Sequence, residues 1–141
     1  MAALDAAKIR YLIVGGIAVG YYAVPRLTKD IDVLVAVDPT NAQTLFDSLK
    51  EFGAPIHLVS PRDFESPDFV FYFGVPPWRV DILTSIPGVE FDEAYERRTV
   101  DSLGDYQANF ISKDDLISAK RASGRVQDLQ DLEALLKSRK S

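Results

Sequence analysis

Short apolar runs alternate with glycine, proline and charged residues along most of the chain. Residues 11–14 (YLIV) and 31–37 (IDVLVAV) are compact and rich in β-branched side chains, which predicts two buried strands. The long apolar run at 31–37 favours a strand that is covered on both faces. Further strands are expected at 69–74 and 78–85, and shorter ones at 56–59 and 107–112.

Helical spacing of apolar residues marks the segments between the strands. Asp38 suits an N-cap, Pro39 suits the first helical position, and Gly53 suits the C-terminal cap of the helix between them. Residues 17–24 are apolar all round and end at Pro25, which predicts a short core helix. Other helices are expected at 2–10, 90–97 and 112–124, and then along the apolar stripe of Leu129, Leu132, Leu135 and Leu136.

This order of elements predicts a single domain of the α/β or α+β class. The chain has 141 residues, about the length of one ordinary domain. We expect a mixed β-sheet flanked by helices. Its α/β core would cover residues 1–111, and a helical C-terminus would cover 112–141.

The composition restricts the chemistry of the protein. The chain has no cysteine and one histidine, His57, which excludes disulfides, thiolate zinc sites, a cysteine nucleophile and sites with several histidines. We expect His57 to be structural, on an edge strand. The net charge of −5 disfavours extended binding along DNA or RNA. Carboxylates, hydroxyls, amines and backbone groups must therefore carry most of the chemistry.

The uncharged run at 11–24 resembles a signal peptide only superficially. Fourteen residues are too few to span a bilayer, and the run continues into patterned sequence rather than into a cleavage site. We therefore expect a cytoplasmic protein that does not bind membranes.

Three aspartates lie on two of the predicted strands. Asp30 and Asp32 are two positions apart, so their side chains project from one face of the strand. Two such charges repel unless a cation lies between them, and Mg²⁺ prefers oxygen ligands. Asp81, in the strand at 78–85, would join them if the two strands are neighbours. A lone Asp-x-Asp pair is explained equally well by structural contacts, and the pairing of Asp81 with Arg79 is disfavoured because side chains two apart diverge toward solvent.

A glycine pair separates the first strand from the first core helix. Gly15 and Gly16 would allow close approach of the backbone to a ligand, and the helix N-terminus after them attracts anions. A tight structural turn is the better explanation of the glycine pair alone. The combination of the glycine pair, Asp-x-Asp and a later strand aspartate is what indicates a functional site.

These residues resemble the nucleotidyltransferase superfamily that shares the palm of DNA polymerase β. The segment GGIAVGYYAVPRLTKDIDVLV and the tail DLISAKRASGRVQDLQDLEAL resemble a small bacterial branch related to abortive-infection toxins. The resemblance covers most of residues 11–136. Many relatives carry a histidine near the position of Tyr22.

The resemblance implies transfer of a nucleoside monophosphate from a nucleoside triphosphate, such as ATP, to a hydroxyl of RNA, protein or a small molecule. Asp30, Asp32 and Asp81 would hold two Mg²⁺ or Mn²⁺ ions, and Asp81 could instead act as a general base. The phosphates would contact Gly15, Gly16, Arg26, Thr28, Lys29 and Lys120.

The cations near Lys120 in the sequence and the aromatic residues are expected to have structural roles. Arg121 and Arg125 are expected to be solvated, with Arg125 paired to Asp128. Trp78 and the aromatic residues of 69–73 are expected in the core or in an interface.

The resemblance also allows an inactive binding module, as an antitoxin would be, or a plain interaction domain. Expected partners are a cognate toxin or antitoxin, or a second copy of the chain.

Overall fold

One mixed β-sheet organises the protein, and the computed structural model describes residues 2–25 and 28–141. The strands are β1 (Tyr11–Val14), β2 (Asp30–Val35), β3 (Val70–Phe73), β4 (Arg79–Leu83), β5 (Thr99–Leu103) and β6 (Tyr106–Phe110). Their order in the sheet is β3-β4-β2-β1-β6-β5. Strand β2 runs parallel to β4 and antiparallel to β1, which confirms the mixed sheet.

Helices cover both faces of this sheet. They are α1 (Ala2–Ala6), α2 (Gly15–Tyr22), α3 (Pro39–Phe52), α4 (Phe91–Glu96), α5 (Lys113–Ser123) and α6 (Val126–Lys137), with 3₁₀ helices at Ile56–Leu58 and Pro61–Glu65. The predicted caps of α3 are confirmed: the Asp38 carboxylate accepts a hydrogen bond from the Asn41 amide at 3.0 Å, and Gly53 has φ +95°. Ser112 likewise caps α5, as its sequence predicts.

Alternation along β2 sends its side chains into two separate cores. Ile31, Val33 and Val35 pack with α1 and α3 on one face. Leu34 packs with α2, α5 and α6 on the other face. Asp32 is two residues from Leu34, so it projects toward the face of α2, α5 and α6. The expectation that β2 is covered on both faces is confirmed.

The structure corrects several element predictions. The strand expected at 56–59 is instead a 3₁₀ helix at Ile56–Leu58, because this short run exposes its side chains: Leu58 is 85% exposed. His57 is therefore an exposed residue of a 3₁₀ helix and not of an edge strand. The helix expected at 2–10 is shorter than predicted, because α1 ends at Ala6.

The C-terminal helix also packs differently from its leucine pattern. Leu129 and Leu136 are 52% and 56% exposed, whereas Leu135 is buried beside Asp128 and Asp131. The inward face of α6 is therefore partly charged. Cationic partners make it possible to bury these aspartates. Among the described residues, no helix is long and apolar enough to cross a membrane.

Candidate functional site

A cavity of about 590 Å³ opens between the polar ends of β2 and β4 and the corner between α5 and α6. One wall carries aspartates and glycine, and the other carries a lysine, an arginine and an aspartate. The chemically active residues of the lining are Gly15, Asp30, Asp32, Arg79, Asp81, Ser85, Lys120, Arg125 and Asp128. Helix α2 connects the two walls, because it begins directly after β1, beside the start of β2, and packs against α5 and α6.

The three predicted aspartates lie together on the sheet wall, and we call them the strand cluster (Asp30, Asp32 and Asp81). Asp32 and Asp81 are register partners in the parallel pair β2 and β4. The conditional expectation that the two strands are neighbours is therefore confirmed. Their even spacing aims all three side chains at the cavity, while Val80 and Ile82 face the opposite core.

Asp32 is the most crowded member of the strand cluster. Burial, and then the neighbouring Asp81 and Asp30 carboxylates, raise the pKa of its carboxyl from 3.8 to about 6. A hydrogen bond between the Asp32 and Asp81 carboxyls contributes in the same direction. Close carboxylates of this kind favour either a shared proton or a cation.

Arg79 pairs with Asp81, contrary to the sequence-based expectation. Its Nε and Nη2 atoms donate to Oδ1 and Oδ2 of Asp81 at 2.8 Å and 3.0 Å. The long arginine side chain can fold back along the strand surface, so its planar fork reaches a carboxylate two residues away. The same Nη2 lies 3.8 Å from Oδ2 of Asp30. One guanidinium thus pairs with Asp81 and lies near Asp30, and it also acts electrostatically on Asp32.

Gly15 closes the sheet wall against Asp32. The sequence predicts a glycine turn before α2, but the helix itself begins at Gly15, which has φ +67°. A Cβ atom on Gly15 would lie 2.0 Å from Oδ2 of Asp32. Because Val14 is the register partner of Asp32, only a glycine fits at the next position without displacing the carboxylate.

The residues present can be compared with the requirements of a divalent metal. The strand cluster supplies hard oxygen donors, and its three carboxylates lie close to a single guanidinium, so its negative charge exceeds the positive charge. The donor set therefore fits Mg²⁺ or Mn²⁺ in the kind of donor atom that it offers. Within residues 2–25 and 28–141, however, no group of three His, Cys, Asp or Glu side chains has the arrangement of a metal site. Both oxygens of Asp81 are engaged by Arg79.

Three charged residues of the opposite wall form, with the adjacent Asp131, what we call the corner cluster (Lys120, Arg125, Asp128 and Asp131). Lys120 Nζ lies 3.2 Å from Oδ1 of Asp128 and 3.1 Å from Oδ2 of Asp131. Arg125 donates from Nε to Oδ2 of Asp128 at 2.7 Å, as its spacing predicts. Hydrogen bonding by Arg125, and then by Lys120, holds the pKa of Asp128 below its usual value.

The remaining predicted phosphate contacts lie outside the cavity lining or outside the described residues. Arg26 is not among the described residues. Thr28 exchanges 3.3 Å hydrogen bonds with the Asp30 backbone, and the carbonyl of Lys29 accepts from the Arg79 amide at 3.0 Å. Both residues support the start of β2, and neither lines the cavity; nor does Gly16.

Aromatic residues divide between the core and the surface. Tyr22 is buried and donates to the Ile111 carbonyl at 2.7 Å, so it joins the core to β6 rather than facing the cavity. Phe71 is buried, as expected for the core. Trp78 and Tyr72 are instead 62% and 65% exposed. Tyr72 is the register partner of Asp81 on the edge strand β3.

Sequence reasoning did not single out Arg79, Asp128 or Asp131 as site residues. A signal for the two aspartates was present, because they are three positions apart on a helix that follows Lys120 and Arg125. Arg79 offered a weaker signal: it shares a strand face with Asp81.

Comparison with known proteins identifies the family. A family model described as a nucleotidyltransferase of unknown function (DUF6036) matches residues 2–138. No curated protein matches the sequence significantly. The match agrees with the resemblance carried by the glycine pair and the three aspartates, while the relation to abortive-infection toxins stays a prediction. The chain belongs to this DUF6036 family of nucleotidyltransferases.

Proposed function

We propose that this protein is a metal-dependent nucleotidyltransferase that moves a nucleoside monophosphate from a nucleoside triphosphate to a hydroxyl of RNA, protein or a small molecule. The observation that carries the proposal is the register of the strand cluster. Asp32 lies opposite Asp81 on parallel strands, and Asp30 shares their face. The family match supports the reaction class.

The strand cluster would hold Mg²⁺ or Mn²⁺. Asp30 and Asp32 would bind the ion that accompanies the triphosphate, and Asp81 would contribute to a second ion with them. When bound, a pair of such ions stabilises negative charge on the attacking and leaving oxygens of an in-line displacement. Asp81 must release Arg79 to take part.

The chain's own residues would orient the triphosphate. Gly15 lines the cavity and has no side chain, so the Asp32 carboxylate lies directly against its backbone at the start of α2. Lys120 lines the opposite wall, and its ammonium, which is paired with Asp128 and Asp131, would have to turn toward the cavity to reach a phosphate. These two residues therefore define the expected path of the phosphates, between the start of α2 and the corner of α5 and α6. Thr28 and Lys29 would act indirectly, by supporting the start of β2.

The transfer step needs one proton acceptor. The acceptor hydroxyl loses its proton, its oxygen forms a bond to the α-phosphorus, and pyrophosphate leaves with the electrons of the broken phosphoanhydride bond. Asp81 is one candidate for taking that proton, since its side chain is 14% exposed and faces the cavity. The alternative is that Asp81 acts only as a ligand.

A labelled-transfer assay tests the proposal. The purified protein is incubated with Mg²⁺, each α-³²P-labelled triphosphate separately, and total RNA or protein. Label should enter the acceptor with the wild type and with Asp47→Asn, a surface control on α3, but not with Asp32→Asn. Equal labelling with Asp32→Asn would overturn the proposal.

A binding module without turnover is the second candidate. The engagement of Asp81 by Arg79 favours it, since this pairing occupies a carboxylate that catalysis needs. Mg²⁺-dependent binding of triphosphate without any label transfer would identify this function. Such a module suits an antitoxin, whereas an active enzyme suits the toxin of a toxin–antitoxin pair. Growth arrest on expression of the wild type, relieved by Asp32→Asn, would support the toxin role.

A further inference from the structure

Arg79 lies at the centre of the strand cluster although it is not an acidic ligand. It starts β4, and its guanidinium forms two parallel hydrogen bonds with the Asp81 carboxylate, at 2.8 Å and 3.0 Å. The same nitrogen that reaches Oδ2 of Asp81 lies 3.8 Å from Asp30. The guanidinium therefore occupies a position between two of the three carboxylates that would bind a metal.

The Arg79 side chain contacts an aromatic ring but is also partly exposed to solvent. The guanidinium carbon lies 5.4 Å from the centre of the Tyr72 ring, on the neighbouring edge strand. The Arg79 side chain is 50% exposed, so it can leave Asp81 without breaking the core. A planar guanidinium binds phosphate oxygens in the same two-pronged geometry as carboxylate oxygens. At this cavity the guanidinium could therefore bind either the Asp81 carboxylate or a phosphate of the nucleotide.

We propose that Arg79 is an internal counter-cation that blocks Asp81 against free metal and moves to the triphosphate when the metal–nucleotide complex binds. This inference depends on the proposed function and adds an order of binding to it. Arg79 acts as a positioning residue: it neutralises the strand cluster before nucleotide arrives and exposes Asp81 afterwards. A divalent ion alone has to displace a bidentate ion pair, whereas the nucleotide complex supplies a new partner for the guanidinium.

Metal affinity without nucleotide is the direct readout. In Arg79→Met the Asp81 carboxylate is free, so Mn²⁺ should bind about tenfold more tightly than to the wild type, a change of about 1.4 kcal/mol. Arg79→Lys keeps the charge but cannot bridge both Asp81 oxygens, so its affinity should lie between those two. Titration followed by the electron paramagnetic resonance of free Mn²⁺ measures each affinity without any catalysis.

A charge-matched control separates local from general electrostatics. Arg62 is exposed on the second 3₁₀ helix, which packs on α3, and it does not line the cavity. Arg62→Met removes the same charge, so its Mn²⁺ affinity should stay within about twofold of the wild type at 0.15 M salt. Thermal unfolding of each variant establishes that it is folded.

A second titration contains a triphosphate whose α,β-bridge is methylene, which blocks transfer. Arg79 now assists binding, so the order should reverse, with the wild type binding Mn²⁺ and analogue several-fold more tightly than Arg79→Met. Equal Mn²⁺ affinities of Arg79→Met and Arg62→Met in the first titration would overturn the proposed role of Arg79 but not the proposed function. Failure of the wild type to bind Mn²⁺ even with the analogue would overturn both this inference and the proposed function.

Discussion

The two walls of the cavity carry carboxylates in opposite electrostatic states. The strand cluster places three carboxylates around one guanidinium, and burial together with its acidic neighbours raises the pKa of Asp32 to about 6. The corner cluster matches two carboxylates with two cations, and the pKa of Asp128 is lowered. The aspartates of the two walls therefore differ in whether the chain itself supplies their counter-charges.

This difference separates structural charge from charge available to a ligand. In the corner cluster each carboxylate has a partner from α5 or α6, so the cluster joins these helices where Gly124 ends α5. In the strand cluster the negative charge exceeds the positive charge, which costs stability unless another cation arrives. Excess charge of one sign at a cavity is typical of functional sites rather than of structural ones.

The largest expected effect tests the strand cluster. Asp32→Asn should reduce transfer on the order of 10³-fold, because it removes a group that supports charge in the transition state. The same change should raise the free energy of unfolding by about 1 kcal/mol, since it relieves repulsion at a crowded position. Initial rates of label transfer and urea unfolding measure the two effects. A loss of stability together with activity would show that Asp32 is structural.

The corner cluster should respond in the opposite way. Asp128→Ala leaves Lys120 and Arg125 without their shared partner, and Asp128 is 1% exposed, so unfolding should become easier by about 3 kcal/mol. Urea unfolding at pH 7 measures this change. The matched control on the same helix is Glu133→Ala, whose exposed pair with Lys137 should contribute less than about 0.5 kcal/mol.

A substitution at Gly15 tests the strand cluster through geometry, without changing any charge. In Gly15→Ala the new Cβ lies 2.0 Å from Asp32 Oδ2 and must displace that carboxylate, so transfer should fall about a hundredfold. Gly104 provides the control: its φ is +63°, close to the +67° of Gly15, but a Cβ there meets nothing within 4 Å. Gly104→Ala should share the backbone strain of about 1 kcal/mol and keep full activity. Equal rates for the two variants would remove Gly15 from the site.

The face of the sheet on which the aspartates lie could be predicted from the sequence, because side chains along a strand alternate between its two faces. The alternation around Asp32 and Asp81 determines which side chains share a face, and the apolar neighbours determine which face is buried. The adjacency of β2 and β4 is a different matter, because strand order depends on long-range pairing that periodicity does not encode. The resemblance of the motifs to a known superfamily supplied it.

Other features escaped prediction for physical reasons. Strand β5 has a mostly exposed pattern, so its sequence lacks the apolar alternation that marks a half-buried strand. The buried Asp128 and Asp131 were overlooked because their burial depends on cations that come from another helix and from the corner. The pairing of Arg79 depends on the choice of rotamer, which spacing alone does not determine.

The pH dependence of stability gives the smallest effect, and it has opposite signs at the two walls. The pKa of Asp32 is higher folded than unfolded, so the folded state binds more protons and stability should rise as the pH falls from 7 toward 5. The pKa of Asp128 is lower folded, so its stabilisation is present above pH 4 and is lost in more acidic solution. Each contribution should be on the order of 1 kcal/mol.

Urea unfolding from pH 3 to 8, in EDTA to remove divalent ions, separates the two contributions. Asp32→Asn should abolish the rise between pH 7 and 5 and keep the acid loss, because the corner cluster is intact. Asp128→Asn should keep the rise and flatten the acid loss. If both variants changed the same part of the curve, the two walls would be titrating as one network, and the distinction between an internally neutralised corner and an undercompensated strand cluster would be wrong.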